Sequence, residues 1–332
     1  MRAQTGRLTD GHRDRQACPL ATVRILRAAD VRSALSMTAC IDAVEAAFIS
    51  YSAGEAELPS VIHLEVPEAQ GVIHVKAGHL HGAPAYAVKV ASGFYAQDPP
   101  AIDGMVVVFD ASTGAPTAFL LDGGSLTDLR TGAAGGVAAR WLAPERVDAV
   151  AVIGTSIQAR KQIEALRSVR GIGEVRVWGR NAERAGKAAA DVGGVVASNV
   201  EDAVRGATLI VTCTASTEPL VRSDWIDDGT HITAVGSDGV GKQELDPELL
   251  RRADVLAVDS LDQCKRLGEL QHALDVEDRA VELGRICAGE VPGRTDEGQL
   301  TICDLTGVGV QDVAAANAVL ANAGDAGETV QL

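Results

Sequence analysis

The segment "DAVAVIGTSIQAR", Asp148 to Arg160, decides the fold. An apolar run ends at Gly154, an amphipathic stretch follows, and a second apolar run closes at "VWGR". Strand, glycine turn, helix and strand in that order are the context of a dinucleotide-binding loop. Gly154 makes the tight turn, and Ala159 stands where a small residue lets the helix pack closely. Position 156 departs from the pattern. A second glycine normally lets the backbone approach a pyrophosphate, and here it is Ser156. Serine is small, its hydroxyl can donate to a phosphate oxygen, and a helix N-terminus adds free N–H groups and partial positive charge. Gly154, Thr155, Ser156 and Ala159 are therefore expected to meet a nicotinamide cofactor.

Outward from this loop the rhythm continues through "EVRVWGR", "AERAGKAAADVG", "ATLIVTCTAS", "HITAVGS" and "DVLAVDS". Such alternation predicts a parallel sheet with helices on both faces. The second strand ends in Gly179, Arg180 and Asn181, with no acid for ribose hydroxyls. Arg180 lies 26 residues beyond Gly154. A guanidinium there holds a 2′-phosphate or stacks on adenine, which favours NADPH over NAD. Thr212, Thr214 and Ser216 of "TCTAST", Gly236 after the next strand, and Gly307 of "TGVG" complete the expected cofactor contacts.

Upstream the texture differs. "VIHLEV", "GVIHVKAG" and "AYAVKVASG" alternate, and "GMVVVFDASTGAPTAFLLDGG" reads as two strands joined by a turn at Asp110 to Pro116. This is an antiparallel region. "TACIDAVEAAFISYSAG" is a helix ending at Gly54, and Asp30 is a candidate cap for a preceding one. "SLTDLRTGAAGGVAARWLA" is a helix capped by Ser125 or Thr127. Its glycines, Gly132, Gly135 and Gly136, invite close packing. The expected fold is α/β: a Rossmann domain over 144–302 and a mixed α+β substrate and dimerisation domain from 22–143 plus 303–328. Residues 1–21, polar and basic, are expected to form a disordered tail.

The chain has 332 residues and a formal charge of −15, which argues against a general nucleic-acid partner. Six scattered cysteines, none in a C-x-x-C pair, fit neither a disulfide framework nor zinc. No apolar run approaches the roughly 18 residues of a membrane span. The cytoplasm is the expected location. His74, His79 and His81 match no common ligand spacing, so no metal is expected.

Lys89 is the first chemical candidate. It shares a strand face with Ala85 and Ala87, a setting that buries it. Burial lowers a lysine's pKa and suits it to proton exchange near neutrality. Lys76 shares a face with His74 on the preceding strand, and a second cation there would bind a carboxylate. His79 or His81 is a candidate for lining the pocket. Lys242 is expected to be structural, pairing with Glu244 or a helix end.

Five segments, "AVKVASGF", "VVVFDASTGAPTAFLLDGGSLTDLRTGAAGGVAARWLA", "VAVIGTSIQAR", "VGSDGVGKQELDPELL" and "TGVGVQDVAAANAV", resemble the ornithine cyclodeaminase / mu-crystallin family. Gln158 and Ala159 fit the family's Gly-x-Gly-x-Gln-Ala loop and Ser156 does not. The resemblance implies a dimer, and hydride exchange between nicotinamide and the α-carbon of an amino or imino acid. It implies that Lys89 lies beside the substrate, that Arg130 binds the α-carboxylate, and that Asp238 handles the amino group. The family's arginine after "LP" is Ser60 here, which counts against ornithine. Lys76 would replace the missing charge, or the substrate would carry a second acid group, as iminosuccinate does. The first reading is thus an NAD(P)H-dependent imino-acid reductase. A redox-neutral ornithine cyclodeaminase and a non-enzymatic NADPH-binding crystallin are the rivals.

Overall fold

The computed structural model describes residues 22–94, 96–97 and 101–331. The expected tail at 1–21 lies outside the described residues. Two eight-stranded sheets organise the chain.

The first sheet is built from β1 (Thr22–Arg27), β2 (Ala56–Glu57), β3 (Ile62–Val66), β4 (Gly71–Leu80), β5 (Ala85–Phe94), β6 (Ala101–Asp110), β7 (Pro116–Leu121) and β18 (Glu328–Gln331). Their order is β18-β1-β7-β6-β5-β4-β2, with β3 also on β4. β1 runs parallel to β7, so the sheet is mixed at one side and antiparallel elsewhere. Period-two alternation sends Ala85, Ala87 and Lys89 inward on β5, all three buried. At the β6–β7 turn the Asp110 carboxylate accepts from the N–H and hydroxyl of both Ser112 and Thr113. Those four bonds hold its pKa down to about 2.

α1 (Ala28–Ala34), α2 (Met37–Ser52), α3 (Ser125–Leu142) and α10 (Gly309–Asn322) cover the inner face. Two expected caps are corrected. Asp30 sits inside the first turn of α1, where its carboxylate accepts from the Arg27 N–H. α3 starts after Gly124 rather than on a Ser125 or Thr127 cap, and Asp122 serves it by accepting from the Leu126 N–H at 2.6 Å. Gly124 has φ +84°, a conformation that glycine adopts at no steric cost.

The second sheet is wholly parallel. Its strands are β8 (Val147–Ile153), β9 (Ile172–Trp178), β10 (Val195–Val196), β11 (Leu209–Thr212), β13 (His231–Ala234), β15 (Val255–Val258), β16 (Ala280–Glu282) and β17 (Thr301–Asp304). The order is β10-β9-β8-β11-β13-β17-β15-β16. α4 (Ile157–Val169), α5 (Ala182–Val192), α6 (Val200–Val204), α7 (Pro247–Arg252), α8 (Leu261–Leu267) and α9 (Leu283–Cys287) join them, and β12 (Thr217–Val221) pairs with β14 (Gln243–Leu245) alongside. β8 pairs with β9 on one side and β11 on the other, so the strand order reverses there. A doubly wound sheet opens its ligand crevice at that point, beyond the strand ends.

β17 corrects the expected boundary. A domain break before Cys303 cuts this strand, which pairs with both β13 and β15. "TICD" was missed because a four-residue strand buried on both faces shows no alternation.

α3 is the seam between the sheets. A Cβ at Gly135 would fall 1.8 Å from Oε1 of Gln162 on α4, and one at Gly132 would fall 2.9 Å from the Lys161 backbone. A Cβ at Gly136 would meet Ile41 of α2 at 2.7 Å. The glycine face of this helix thus admits α4 on one side and α2 on the other. Among the described residues no single helix is long and apolar enough to cross a membrane.

Candidate active site

The crevice after β8 is a cavity of about 260 Å³. Gly154, Thr155, Ser156, Arg180, Asn181, Thr214 and Ser216 line it as expected. Gly154 has φ +138°, and a Cβ there would lie 2.6 Å from the Cys213 sulfur. The turn is therefore closed to any other residue. Ser156 resolves the departure in the loop. It is the N-cap of α4, its hydroxyl oxygen accepting from the Gln158 N–H at 3.3 Å. The cap leaves the hydroxyl hydrogen to donate, and the helix end supplies N–H groups to an anion.

Arg184, one turn into α5, also lines this cavity. Arg180 and Arg184 are both exposed, and neither guanidinium has a hydrogen bond or ion pair among the described residues. Asn181 caps α5 through its side-chain oxygen. A doubly wound crevice with a closed glycine turn, a capped helix end and two arginines at the ribose end fits a dinucleotide.

Five expected cofactor residues are not in this lining, among them Ala159, which is buried in α4. Thr212 is fully buried in β11, and its neighbour Cys213 lines the cavity instead. Gln158 turns away to α3, donating to the Asp128 carbonyl at 3.3 Å. Gly236 gives its N–H to Glu244, whose other carboxylate oxygen accepts from the Thr214 N–H. Glu244 so ties the ends of β11 and β13 together, and burial pushes its carboxyl up to about 7. Gly307 lies beside Arg130, where a Cβ would fall 2.9 Å from the guanidinium, and is not part of the crevice lining.

A second group of side chains meets at the inner face of the first sheet. Lys76 and Lys89 stand directly opposite each other on β4 and β5. Lys89 Nζ donates to Asp312 Oδ1 at 2.8 Å, and Arg130 Nε donates to the same oxygen at 2.9 Å. Lys89, Asp312 and Arg130 are at most 5 % exposed. Arg130 also donates to Gln311 Oε1 at 2.6 Å, and Lys76 to the Gly307 carbonyl at 2.6 Å. Behind that carbonyl, Asp259 accepts from the N–H groups of Thr306 and Gly307. Burial, and then Arg130, push the Lys89 ammonium down to about 7. Burial and Arg130 also lower Lys76. Burial raises Asp312, but Arg130 and Lys89 outweigh it and hold that carboxyl below its ordinary value.

Burying two cations around one carboxylate, with a third part-buried beside them, is a poor way to stabilise a fold, because desolvation offsets most of the attraction. Asp312 Oδ2 and Gln311 Nε2 are buried with no partner. Unsatisfied polar atoms beside excess positive charge describe a ligand site.

Asp312, Gln311, Asp259 and Arg184 were not anticipated. Asp312 and Gln311 open an alanine-rich helix, where an acid reads as a complement to the helix dipole. The expected Asp238 is exposed on the loop after β13 and pairs with Lys242, which corrects the partner expected for that lysine. Its charge still acts on Lys76 and His74, favouring their protonated forms against the larger effect of burial. Ser60 is exposed between β2 and β3 and makes no contact with the cluster among those described. His79 faces away from it: β4 alternation puts Lys76 and His79 on opposite faces.

The model of the ornithine cyclodeaminase/mu-crystallin family matches residues 22–327. The chain belongs to this family. Alanine dehydrogenase of Archaeoglobus fulgidus is 38 % identical over 309 residues, covering 90 % of this chain and 94 % of that protein. An archaeal alanine dehydrogenase dimer with bound NAD superposes with a TM-score of 0.85 at 35 % identity, covering 94 % of this chain and all of the other. Iminosuccinate reductase of Paracoccus denitrificans, in complex with NAD+, gives 0.85 at 30 % identity over the same shares. In this member of the family the crevice lies at the strand ends of the second sheet, and the basic cluster is held by β4, β5, α3 and α10.

Proposed function

We propose that this chain is an NAD(P)H-dependent reductase of α-imino acids, reversible as an L-amino-acid dehydrogenase. The observation that carries this is the Lys89–Asp312–Arg130 cluster, buried and partly unsatisfied, in a chain whose second sheet opens a doubly wound crevice at a closed glycine turn. The chain is an oxidoreductase acting on CH–NH2 or C=N groups.

When bound, the nicotinamide supplies or accepts the hydride. Arg130 holds the α-carboxylate, matching it with a planar fork of donors. Lys89, near neutrality in pKa, donates the proton that keeps the imine nitrogen cationic. Asp312 holds both cations through a single oxygen. Lys76 stays tethered to Gly307 and adds positive potential. Arg180 and Arg184 favour a cofactor with a 2′-phosphate.

A homodimer is part of the same reading. The face of the first sheet opposite Lys89 carries Ile62, Leu64, Met105 and Leu121 at 37–61 % exposure. An apolar surface of this kind calls for a partner, and a second copy suits a self-complementary sheet face. Five free buried thiols among the described cysteines fit a reducing compartment such as the cytoplasm.

The test is a spectrophotometric screen of 2-oxo acids with ammonia or methylamine, following reduced cofactor. Imine-dependent consumption of NADPH is expected. Ammonia release from ornithine without net cofactor turnover would favour the cyclodeaminase instead, and cofactor binding without turnover would favour the crystallin-like reading.

A further inference from the structure

Three buried carboxyls stand in a row behind one wall of the crevice. Glu244 lies on β14, Glu269 on the short turn Glu269–His272, and Asp304 at the end of β17, each at most 1 % exposed. Glu244 Oε1 accepts from the Thr214 N–H at 2.6 Å, and Oε2 accepts from the Gly236 N–H at 2.9 Å. The two Glu269 oxygens accept from the N–H groups of Glu244 and Leu245 at 2.8 and 3.1 Å. Asp304 Oδ2 accepts from the Leu270 N–H at 3.0 Å, and Asp304 Oδ1 has no partner. Five of the six carboxyl oxygens in the row are thus each met by a backbone N–H.

That pattern decides where a proton does harm. A neutral carboxyl turns one of its oxygens into a donor. On Asp304 Oδ1 the hydrogen would displace nothing. On Glu244 it would face an N–H, and one of the two bonds would be lost. Glu244 is also the member of the row that touches the crevice wall. Thr214 lines the cavity with Cys213, Ala215 and Ser216, and its hydroxyl oxygen accepts from the Ser216 N–H at 3.2 Å. The end of β13 is pressed against the same turn, since a Cβ at Gly236 would strike the Thr214 backbone and the Glu244 carboxylate.

We propose that Glu244 is a positioning residue of the nucleotide crevice and acts only as the carboxylate, so that a proton taken up there releases Thr214 or Gly236 and weakens dinucleotide binding. This role rests on the cofactor part of the reading above, not on the imine. Burial pushes the Glu244 carboxyl up to about 7 against the pull of the Thr214 and Gly236 donors. The carboxylate predominates above that value, so affinity is high there and falls as pH drops through it. The groups around Glu244 supply no countercharge. Glu269 is a second carboxyl, raised by burial and then by Asp304 and Glu244. Cys213 is a thiol, raised by burial and then by Glu244. Glu218 of β12 is exposed, Lys242 is paired with Asp238, and His272 bonds the Lys242 carbonyl.

The experiment is isothermal titration of the full chain with ADP-ribose from about pH 6 to about pH 8.5. ADP-ribose keeps the pyrophosphate. It has no 2′-phosphate, which titrates at about 6, and no nicotinamide to sense Lys89. Its Kd is expected to rise about fivefold to tenfold from the top of this range to the bottom, the worth of one lost charge-assisted hydrogen bond. Near pH 7 binding should release part of a proton, read as a dependence of the enthalpy on the buffer. Glu244→Gln keeps the shape and imitates the neutral acid; it should bind weakly across the range, with a flat profile and no buffer dependence. Glu244→Asp, which keeps the charge on a shorter arm, should bind more weakly than wild type but retain the slope with pH. A wild-type affinity constant over this range, or a Glu244→Gln profile as steep as that of the wild type, would overturn the proposal and leave the cofactor reading standing. Failure of ADP-ribose, NAD+ and NADPH alike to bind at any pH would remove both.

Discussion

Lys89 and Asp312 form a buried ion pair at 2.8 Å although 223 residues separate them in the chain. The same Asp312 oxygen holds Arg130, so one carboxylate aligns the proposed proton donor with the proposed carboxylate receptor. Asp312→Asn should keep the shape and remove the charge. The expected result is a fall in reductive kcat of about a hundredfold or more, the scale of a lost acid–base group. Asp312→Ala should in addition lower stability by roughly 3–5 kcal/mol, because two buried cations lose their partner. Steady-state kinetics and denaturant melts separate the two effects; wild-type turnover in Asp312→Asn would remove the carboxylate from the mechanism.

The pH profile follows from Lys89. With burial pushing its pKa to about 7, the ammonium that donates in reduction predominates below that value and is lost above it. Reductive kcat/KM should therefore fall as pH rises through about 7, and oxidative kcat/KM should rise through the same range. Asp312 favours the charged form of Lys89, so Asp312→Asn should move the break to lower pH. A pH-independent reductive limb across this range in wild type would exclude Lys89 as the donor.

The proposed preference for NADPH rests on Arg180 and Arg184. Replacing both with Ala should weaken NADPH by about tenfold or more and NADH much less, since only the former carries the 2′-phosphate. Binding is read by nicotinamide fluorescence. Parallel losses for the two cofactors would assign these arginines to adenine stacking instead.

Ser156 caps α4, and its backbone is extended at φ −71° and ψ −178°. Ser156→Gly should cost only a few tenths of a kcal/mol, whereas Ser156→Ala should cost about 1 kcal/mol, the usual value of a lost cap. Thermal melts of both variants check the order. Gly154→Ala should be far worse, with its new Cβ driven against Cys213.

The outer face of the first sheet predicts assembly. Leu64→Lys with Met105→Glu places charges on positions that are 56 % and 42 % exposed in the single chain. Analytical ultracentrifugation should show a dimer for the wild type and dissociation in the variant. An unchanged dimer would place the interface elsewhere.

Lys89 was legible because three successive inward positions of β5 are Ala85, Ala87 and Lys89, and the pleat makes such a pattern directional. The nucleotide crevice was legible because a glycine turn between an apolar strand and a helix is a local arrangement. Asp312 was not. Its sequence neighbourhood is that of an ordinary helix start, and only the approach of α10 to β4 and β5 makes it a partner for Lys89. The closeness of Gly307 to Arg130 and Lys76 was hidden for the same reason, since those partners come from other segments.

The sequence by itself determined the two sheets, the glycine turn and the residue types available for chemistry, since each follows from periodicity and backbone sterics over a few neighbours. Tertiary structure alone decided which charges meet. Burial and pairing shift a proton or orient a guanidinium only when distant segments close around them, and β4, β5, α3 and α10 come together here through packing that no local pattern encodes.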